Sequence, residues 1–163
     1  MGARGKGPGT LEDLGIEGLV TRIFTGHAET FKSYLNLADA GKLEFQIIPQ
    51  GTMCLILGEQ AHSGKNYVIS DTGRGTFLDI SQGGRGTPLR PVNAQQYTEV
   101  LDSGLFKYPL LSITVAMYTA PAADEKGNIY LRGASLVSES YEIAKAAKRN
   151  GGRVIVCFIP LRY

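Results

Sequence analysis

Two glycine-rich segments contain residues whose types and spacing could do chemistry. Gly73-Arg74-Gly75-Thr76 and Gly83-Gly84-Arg85-Gly86 each place glycines close together beside an arginine. Closely spaced glycines let backbone N–H groups point at an anion or a carbonyl oxygen, and a guanidinium can pair with a phosphate. These residues alone leave two interpretations open, an anion-binding loop and a flexible loop with no ligand.

A third segment, Pro49-Gln50-Gly51, lies between a predicted strand and a predicted helix. In open α/β sheets ligands bind at the carboxyl ends of the strands, and the first turn of a helix has unpaired N–H donors. Gln50 would place an amide at this edge, able to hydrogen-bond a carboxylate or a thioester carbonyl. The alternative interpretation is an ordinary turn into the helix.

Other patterns that carry chemistry are missing from the sequence. Gly58, Gly64 and Lys65 resemble a phosphate-binding loop, but five residues separate the glycines and Asn66 replaces the Ser or Thr that binds Mg²⁺. No G-x-G-x-x-G run joins a predicted strand to a predicted helix, and no G-x-S-x-G occurs. The two histidines and two cysteines form no zinc-binding spacing, so we expect no metal site.

Composition limits the class of protein. The chain has 163 residues, which favours about one domain, and its net charge of 17 − 15 = +2 is too small to argue for a nucleic-acid partner. Two cysteines far apart in sequence favour reduced thiols over a disulfide-linked secreted fold. No apolar run reaches the ~18 residues that a bilayer crossing needs. We therefore expect a cytoplasmic protein that binds no membrane.

The order of predicted elements indicates an α/β fold with a mixed, mostly parallel sheet and helices on both faces. Residues 71–93, with five glycines and two prolines, are predicted to form a long loop. The strand predicted over 154–159 is apolar at consecutive positions, as in strands covered on both faces. The other predicted strands cover 19–25, 43–48, 67–70, 98–101, 105–108, 111–118 and 128–131, and the predicted helices cover 31–41, 52–61 and a segment from Ser138 or Ser140 to Asn150.

The domain prediction divides the chain in two. Residues 1–10, with four glycines and a proline, are predicted to form a glycine-rich arm, and 11–163 to form a domain. A strand covered on both faces needs neighbours on both sides, and the sequence stops four residues after this one. We therefore expect 11–163 to be part of a larger domain.

Four motifs in series resemble the first (α) domain of the family I CoA-transferases. This group includes propionate and acetate CoA-transferases and succinyl-CoA:3-ketoacid CoA-transferase. The resemblance covers most of the chain in the same order throughout. The motifs are Gly26-His27 followed by Lys42-Leu43-Glu44 and Pro49-Gln50-Gly51, then 72–79 with Gln82-Gly83-Gly84-Arg85, then 122–129, and finally 146–156.

The resemblance implies transfer of coenzyme A between an acyl-CoA and a short-chain carboxylate. In that family a glutamate attacks the thioester, giving an acyl-glutamyl anhydride and then a glutamyl-CoA thioester. By resemblance, Gln50 and the backbone of Gly51 lie at the catalytic site, while Gly73, Gly75 and Thr76 shape its CoA-binding neighbourhood. A coenzyme A thioester is then the substrate, and no permanently bound cofactor is expected.

The family's glutamate motif, E-x-G-x-x-G, lies in a second domain and is missing from this chain, where Glu125-x-Gly127 is followed by Tyr130 instead of glycine. The resemblance therefore implies a second CoA-transferase domain or subunit as partner, an oligomeric assembly, and no activity in this chain alone. An α/β module that binds an acyl-CoA or a partner protein without catalysis is the alternative. A remnant left with an open sheet edge is a third.

Overall fold

The computed structural model of the chain describes residues 9–134 and 137–158. The predicted arm lies outside these residues except for Gly9 and Thr10, and Ile159 of the last predicted strand also lies outside them. The chain divides into two compact units, one formed by the chain up to Met53 with Val68–Pro109, the other by Cys54–Tyr67 with the chain from Leu110 onward. Among the described residues, no helix combines the length and the apolarity that crossing a bilayer requires.

The first unit is built on a three-stranded sheet with a helix beside it. Its elements, in chain order, are a 3-10 helix (Leu11–Leu14), β1 (Arg22–Thr25), α1 (Lys32–Asp39), β2 (Glu44–Ile47), the start of α2 (Gln50–His62), most of β3 (Tyr67–Ser70), a second 3-10 helix (Ile80–Gln82), β4 (Pro88–Arg90), β5 (Glu99–Val100) and β6 (Phe106–Pro109). The order in the sheet is β1-β2-β4, with β1 parallel and β4 antiparallel to β2.

The helix α1 packs on β2 because its apolar residues recur every three or four positions. Phe31, Tyr34 and Ala38 are buried together with Phe45 and Ile47 of β2. The helix ends before Gly41, whose φ of +71° is a conformation that glycine adopts without strain.

A second sheet in this unit has the order β3-β6-β5. The paired residues of the antiparallel strands β5 and β6 lie within the strands predicted over 98–101 and 105–108, and the two strands form a hairpin, with Gly104 at φ +74° in its turn. Phe106 and Tyr108 of β6 are almost fully buried, so this sheet has an aromatic core of its own.

The second unit contains the rest of α2, then β7 (Val115–Ala120), β8 (Ala122–Ala123), β9 (Ile129–Tyr130), α3 (Ser140–Arg149) and β10 (Arg153–Phe158). β7 and β10 pair in parallel over six residues, from Val115↔Arg153 to Ala120↔Phe158. α3 contacts both strands, and its Ala146 and Ala147 are fully buried. The other face of the pair carries Val115, Met117 and Ile155, and all three side chains are exposed.

The α/β class and the mixed sheet predicted from the sequence are confirmed, and the pairs β1–β2 and β7–β10 are parallel. Two expectations are wrong. β10 is not covered on both faces, since its residues alternate between exposed and half-buried up to Val156. The helix α3 packs against it. The predicted loop over 71–93 contains the second 3-10 helix and β4. The described strands form four short sheets.

Candidate functional site

The carboxyl ends of β1 and β2 lie side by side because the two strands are parallel, with Thr25 opposite Ile47. The N–H of Ile48 donates to the carbonyl oxygen of Thr25 at 3.0 Å, which continues the pairing one residue further. The chain then leaves β1 through Gly26 and β2 through Pro49 and Gln50. The residues that follow the two strands therefore share one edge of the sheet.

The helix α2 begins at this edge. Gln50 is its first residue, and both Gln50 and Gly51 are exposed. The first helical hydrogen bond joins the N–H of Met53 to the carbonyl oxygen of Pro49 at 3.0 Å. The earlier N–H groups of the helix have no intrahelical acceptor, as at any helix N-terminus. The Gln50 side-chain amide and the first backbone N–H groups of α2 thus lie together at this edge of the sheet.

The turn after β1 is held by the Thr25 side chain, which is almost fully buried. Its hydroxyl donates to the carbonyl oxygen of His27 at 3.0 Å. Gly26, inside this turn, lies so close to Gln50 that a Cβ built on it would overlap the Gln50 Oε1 atom and come within 3.0 Å of the Gln50 Cβ. Gly26 and Gln50 are therefore neighbours at the candidate site.

The first glycine-rich segment folds around the carboxylate of Asp79. Its Oδ2 accepts from the N–H of Gly75 at 2.8 Å, and its Oδ1 accepts from the Ser81 hydroxyl at 2.5 Å and the Ser81 N–H at 3.1 Å. These hydrogen bonds, that from Gly75 first, lower the pKa of Asp79 below its usual value. The loop is thus ordered by an internal anion.

The backbone N–H groups of Gly75 and Thr76 are bonded within the loop in this structure. The Gly75 N–H binds Asp79, the Thr76 N–H donates to the carbonyl oxygen of Gly73 at 3.1 Å, and the Thr76 hydroxyl donates to the same oxygen at 2.6 Å. The Arg74 guanidinium donates to the carbonyl oxygen of Gly104 at 2.9 Å. Gly75 and Thr76 thus bond inside the loop, and Arg74 bonds to the turn that contains Gly104.

Gly73 allows a close approach of Tyr108. Its φ is +97°, and a Cβ there would come within 2.7 Å of the Tyr108 hydroxyl oxygen. That hydroxyl donates to the carbonyl oxygen of Thr72 at 2.5 Å. Burial raises the pKa of Tyr108, so it stays a neutral donor at physiological pH.

The exit of the loop lies at the same edge as Gln50. β4 is antiparallel to β2, so β4 begins beside the carboxyl end of β2, and the N–H of Ile47 donates to the carbonyl oxygen of Thr87 at 2.7 Å. The Gln96 side chain holds Thr87 by accepting from both its N–H and its hydroxyl. In contrast, Gly73, Gly75 and Thr76 make no hydrogen bond with Gln50 or Gly51.

Sequence reasoning did not single out Asp79, Thr87 or Gln96 as residues that order this region. Asp79 belongs to a quoted motif, and its position four residues after Gly75 is a signal for a side chain that caps a turn. Thr87 and Gln96 have no such signal, because their contacts depend on the long-range pairing of β2 and β4.

A groove of about 580 Å³ in the second unit is lined by residues of α2, among them Cys54, by residues 137–139 and by Glu142 of α3. The Cys54 thiol donates to a carboxylate oxygen of Glu139 at 2.7 Å. Burial, followed by this hydrogen bond, raises the pKa of Cys54 to about 11, so the thiolate nucleophile is scarce at neutral pH. Among the described residues no three His, Cys, Asp or Glu side chains are grouped to hold a metal ion.

Comparisons with known proteins agree with this architecture, although no protein-family model matches the chain. It is 31% identical over 144 residues to caffeate CoA-transferase of Acetobacterium woodii, covering 88% of this chain and 27% of that protein. It is 28% identical over 147 residues to acetate CoA-transferase YdiF of Escherichia coli O157:H7, covering 90% of this chain and 28% of that protein. The chain thus spans little more than a quarter of these relatives.

Solved structures extend the similarity to the fold. The acyl-CoA transferase YdiF of E. coli O157:H7, in a thioester complex with CoA, superposes with a TM-score of 0.83 at 25% identity, covering 93% of this chain and 30% of that one. Glutaconate coenzyme A-transferase of Acidaminococcus fermentans has the same fold, with a TM-score of 0.61 at 16% identity over 88% of this chain and 49% of that one.

The fold is therefore that of part of a CoA-transferase domain. The relatives of this chain are CoA-transferases, which confirms the resemblance at that level. The narrower propionate and succinyl-CoA group, and the assignment to the α domain, stay predictions.

Proposed function

We propose that the chain is part of a CoA-transferase that moves coenzyme A between an acyl-CoA and a short-chain carboxylate, and that it supplies the α-domain side of the active site. One observation carries the proposal: Gln50 and Gly51, both exposed, begin a helix at the edge where two parallel strands end. Proteins acting on CoA thioesters match this chain over 88–90% of its length.

The reaction needs a carboxylate nucleophile and donors for the oxyanions that it creates. A glutamate oxygen attacks the thioester carbonyl, the C–S bond breaks, and CoA departs as the thiolate. The acyl group is then bound to the glutamate as an acyl-glutamyl anhydride. The thiolate then attacks the glutamyl carbonyl, which releases the acyl group as a carboxylate and leaves a glutamyl-CoA thioester. The Gln50 amide and the Gly51 N–H are donors for these tetrahedral oxyanions. Gly73, Gly75 and Thr76 give the adjoining loop its shape.

The glutamate must come from a second CoA-transferase domain or subunit. The relatives are more than three times longer than the segment that this chain matches. The second unit also leaves Val115, Met117 and Ile155 exposed on one face of a parallel strand pair, and parallel sheets are normally covered on both faces. We call this face the β7/β10 face and assign it to contact with the polypeptide that carries the glutamate.

The test compares this chain alone with the assembled enzyme, meaning this chain together with the CoA-transferase polypeptide that carries the glutamate motif, sought in the adjacent reading frame. Exchange of label between acetate and an acyl-CoA is expected only in the assembled enzyme. Exchange by the chain alone would show that its nucleophile lies within these residues. Binding of acyl-CoA without exchange in the assembled enzyme would favour a binding module.

Gln50→Ala in the assembled enzyme tests the donor role. Loss of one oxyanion donor costs about 3 kcal/mol of transition-state stabilisation, or roughly a hundredfold in rate. Gln95→Ala is the matched control, because the Gln95 side chain is exposed and makes no hydrogen bond with another described residue. A Gln50→Ala rate equal to that of the control would make Gln50 a turn residue only.

A further inference from the structure

Gly26 is a glycine for a reason other than its backbone conformation. The φ angles of Gly41, Gly73 and Gly104 lie in the left-handed region, where side chains are strained, but that of Gly26 does not. The atoms nearest to a Cβ built on Gly26 are the Oε1, Cβ and Cα of Gln50, the last two at 3.0 and 3.3 Å. Gln50 is therefore the residue that most closely limits what can occupy position 26.

The missing Cβ leaves the space that the Gln50 side chain fills. Gln50 is exposed, and a long side chain at a helix start would otherwise sample several rotamers. Here its amide lies against the backbone of the turn after β1, and that turn is itself fixed by the Thr25 hydroxyl bond to the carbonyl oxygen of His27. The Oε1 branch faces Gly26, while the N–H₂ branch is the donor that the proposed reaction needs.

We propose that Gly26 is a positioning residue: by having no side chain, it sets the conformation of the Gln50 amide at the active-site edge. This inference rests on the proposed function for its catalytic consequence, but not for the contact itself. Gly26 touches no reacting atom and acts through Gln50. A methyl group at position 26 displaces the Gln50 amide first, since the overlapping atom is the far end of a flexible side chain.

The contact is tested on the isolated chain by ¹H–¹⁵N NMR. The side-chain N–H₂ signals of Gln50 are assigned by their disappearance in Gln50→Ala. In Gly26→Ala these signals are expected to shift. Gly58→Ala is the control, because Gly58 lies in the same helix, has an ordinary φ and has nothing within 4 Å of its Cβ position. Unmoved Gln50 signals in folded Gly26→Ala would overturn the proposal.

A second variant covers the case in which Gly26→Ala does not fold. The double variant Gly26→Ala/Gln50→Ala removes the overlapping amide and the rest of the side chain beyond Cβ. Recovery of folding in the double variant would show that the Gln50 side chain is what position 26 must accommodate. Failure of the double variant to fold would place the constraint elsewhere and overturn the proposal.

The catalytic consequence is measured in the assembled enzyme. Misplacing a donor by about 1 Å costs ~10- to 100-fold in rate, so kcat should fall by that factor in Gly26→Ala while KM for the acyl-CoA changes little. In the Gln50→Ala background, Gly26→Ala should cause no further loss. An equal loss in both backgrounds would show that Gly26 does not act through Gln50.

The two proposals fail in different ways. If the wild-type assembled enzyme exchanges no CoA, the proposed function falls, whereas the NMR result still decides whether Gly26 sets the Gln50 conformation. If the wild-type enzyme is active and Gly26→Ala keeps its full kcat, the proposed function stands and the positioning role is refuted.

Discussion

The side-chain oxygen of Gln96 accepts two hydrogen bonds from Thr87, one from its N–H and one from its hydroxyl, each at 3.1 Å. The same oxygen accepts from the N–H of Thr98 at 3.0 Å, and the Gln96 amide nitrogen donates to the carbonyl oxygen of Arg85 at 2.9 Å. One side chain thus ties the exit of the glycine-rich loop to the strand edge where Gln50 lies.

Gln96→Ala should therefore destabilise the chain. It leaves the N–H and hydroxyl of the fully buried Thr87 without their acceptor, and an unsatisfied buried polar group costs about 1–3 kcal/mol. Urea unfolding of the isolated chain measures the free energy of unfolding. Gln95→Ala should change it by less than about 0.5 kcal/mol, as an exposed substitution away from such features does. Equal stability of the two variants would show that Gln96 does not hold the loop.

The carboxylate of Asp79 should make loop stability sensitive to acid. The pKa of Asp79 is lower in the folded chain than in the unfolded chain. The free energy of unfolding that the ionised carboxylate adds is therefore complete above the unfolded pKa of about 3.9, and it is lost as pH falls through the folded pKa. Asp79→Asn should unfold at lower urea than wild type at pH 7. It should also lose less stability than wild type when the pH is lowered from about 5 to 2.5.

The matched control for this prediction is Asp71→Asn. Asp71 is exposed in the same loop, and its carboxylate makes no hydrogen bond with another described residue. This variant should keep both the wild-type stability at pH 7 and the acid-dependent loss. A wild-type acid response in Asp79→Asn would mean that other carboxyl groups cause it.

Elements governed by short-range patterns could be predicted from the sequence. β3 covers the predicted residues, and α1, β5 and β6 lie within the ranges predicted for them or differ by one residue at an end. β4 could not be predicted, because it has three residues and exists through its pairing with β2, more than forty positions away. The apolar run of β10 indicated a covered strand, but apolar content does not tell which face is covered or by what.

The candidate site was predictable only where it depends on short-range patterns in the sequence. The spacing of Pro49-Gln50-Gly51 between a strand and a helix indicated the junction that the structure has. The proximity of Gly26 to Gln50 follows from the parallel register of β1 and β2, which no local motif encodes. The inward N–H groups of the loop depend on their capture by Asp79, and glycine spacing alone does not distinguish an internal carboxylate from a bound ligand.

The thiol of Cys54 should react slowly with iodoacetamide. With a pKa of about 11, about one thousandth of it is ionised at pH 8, whereas an ordinary thiol with a pKa of about 8.5 is about a quarter ionised. In a Cys157→Ser background the alkylation rate, followed by mass spectrometry, should be at least about a hundredfold below that of a free thiol. It should rise about tenfold per pH unit up to pH 10.

Glu139→Gln tests the cause of this low reactivity. Removing the negative charge beside the thiol should lower the pKa of Cys54 and speed its alkylation at pH 8, but not to the rate of a free thiol, because burial is the larger cause. Cys54→Ser serves as the control that reports Cys157 alone. Fast alkylation of Cys54 in the protein that keeps Glu139 would contradict the contact between the Cys54 thiol and the Glu139 carboxylate.

Met117→Lys should prevent assembly without unfolding the chain. Met117 lies on the β7/β10 face opposite Ile155, and its side chain is 62% exposed, so the change should alter the free energy of unfolding by less than about 0.5 kcal/mol. A charge buried without a partner in an apolar interface costs several kcal/mol, which is enough to abolish binding. Size-exclusion chromatography with the glutamate-carrying polypeptide should then show separate species, and label exchange should be lost. Val92→Lys, equally exposed in the first unit, should assemble normally. Assembly of Met117→Lys with wild-type affinity would exclude the β7/β10 face as the contact surface.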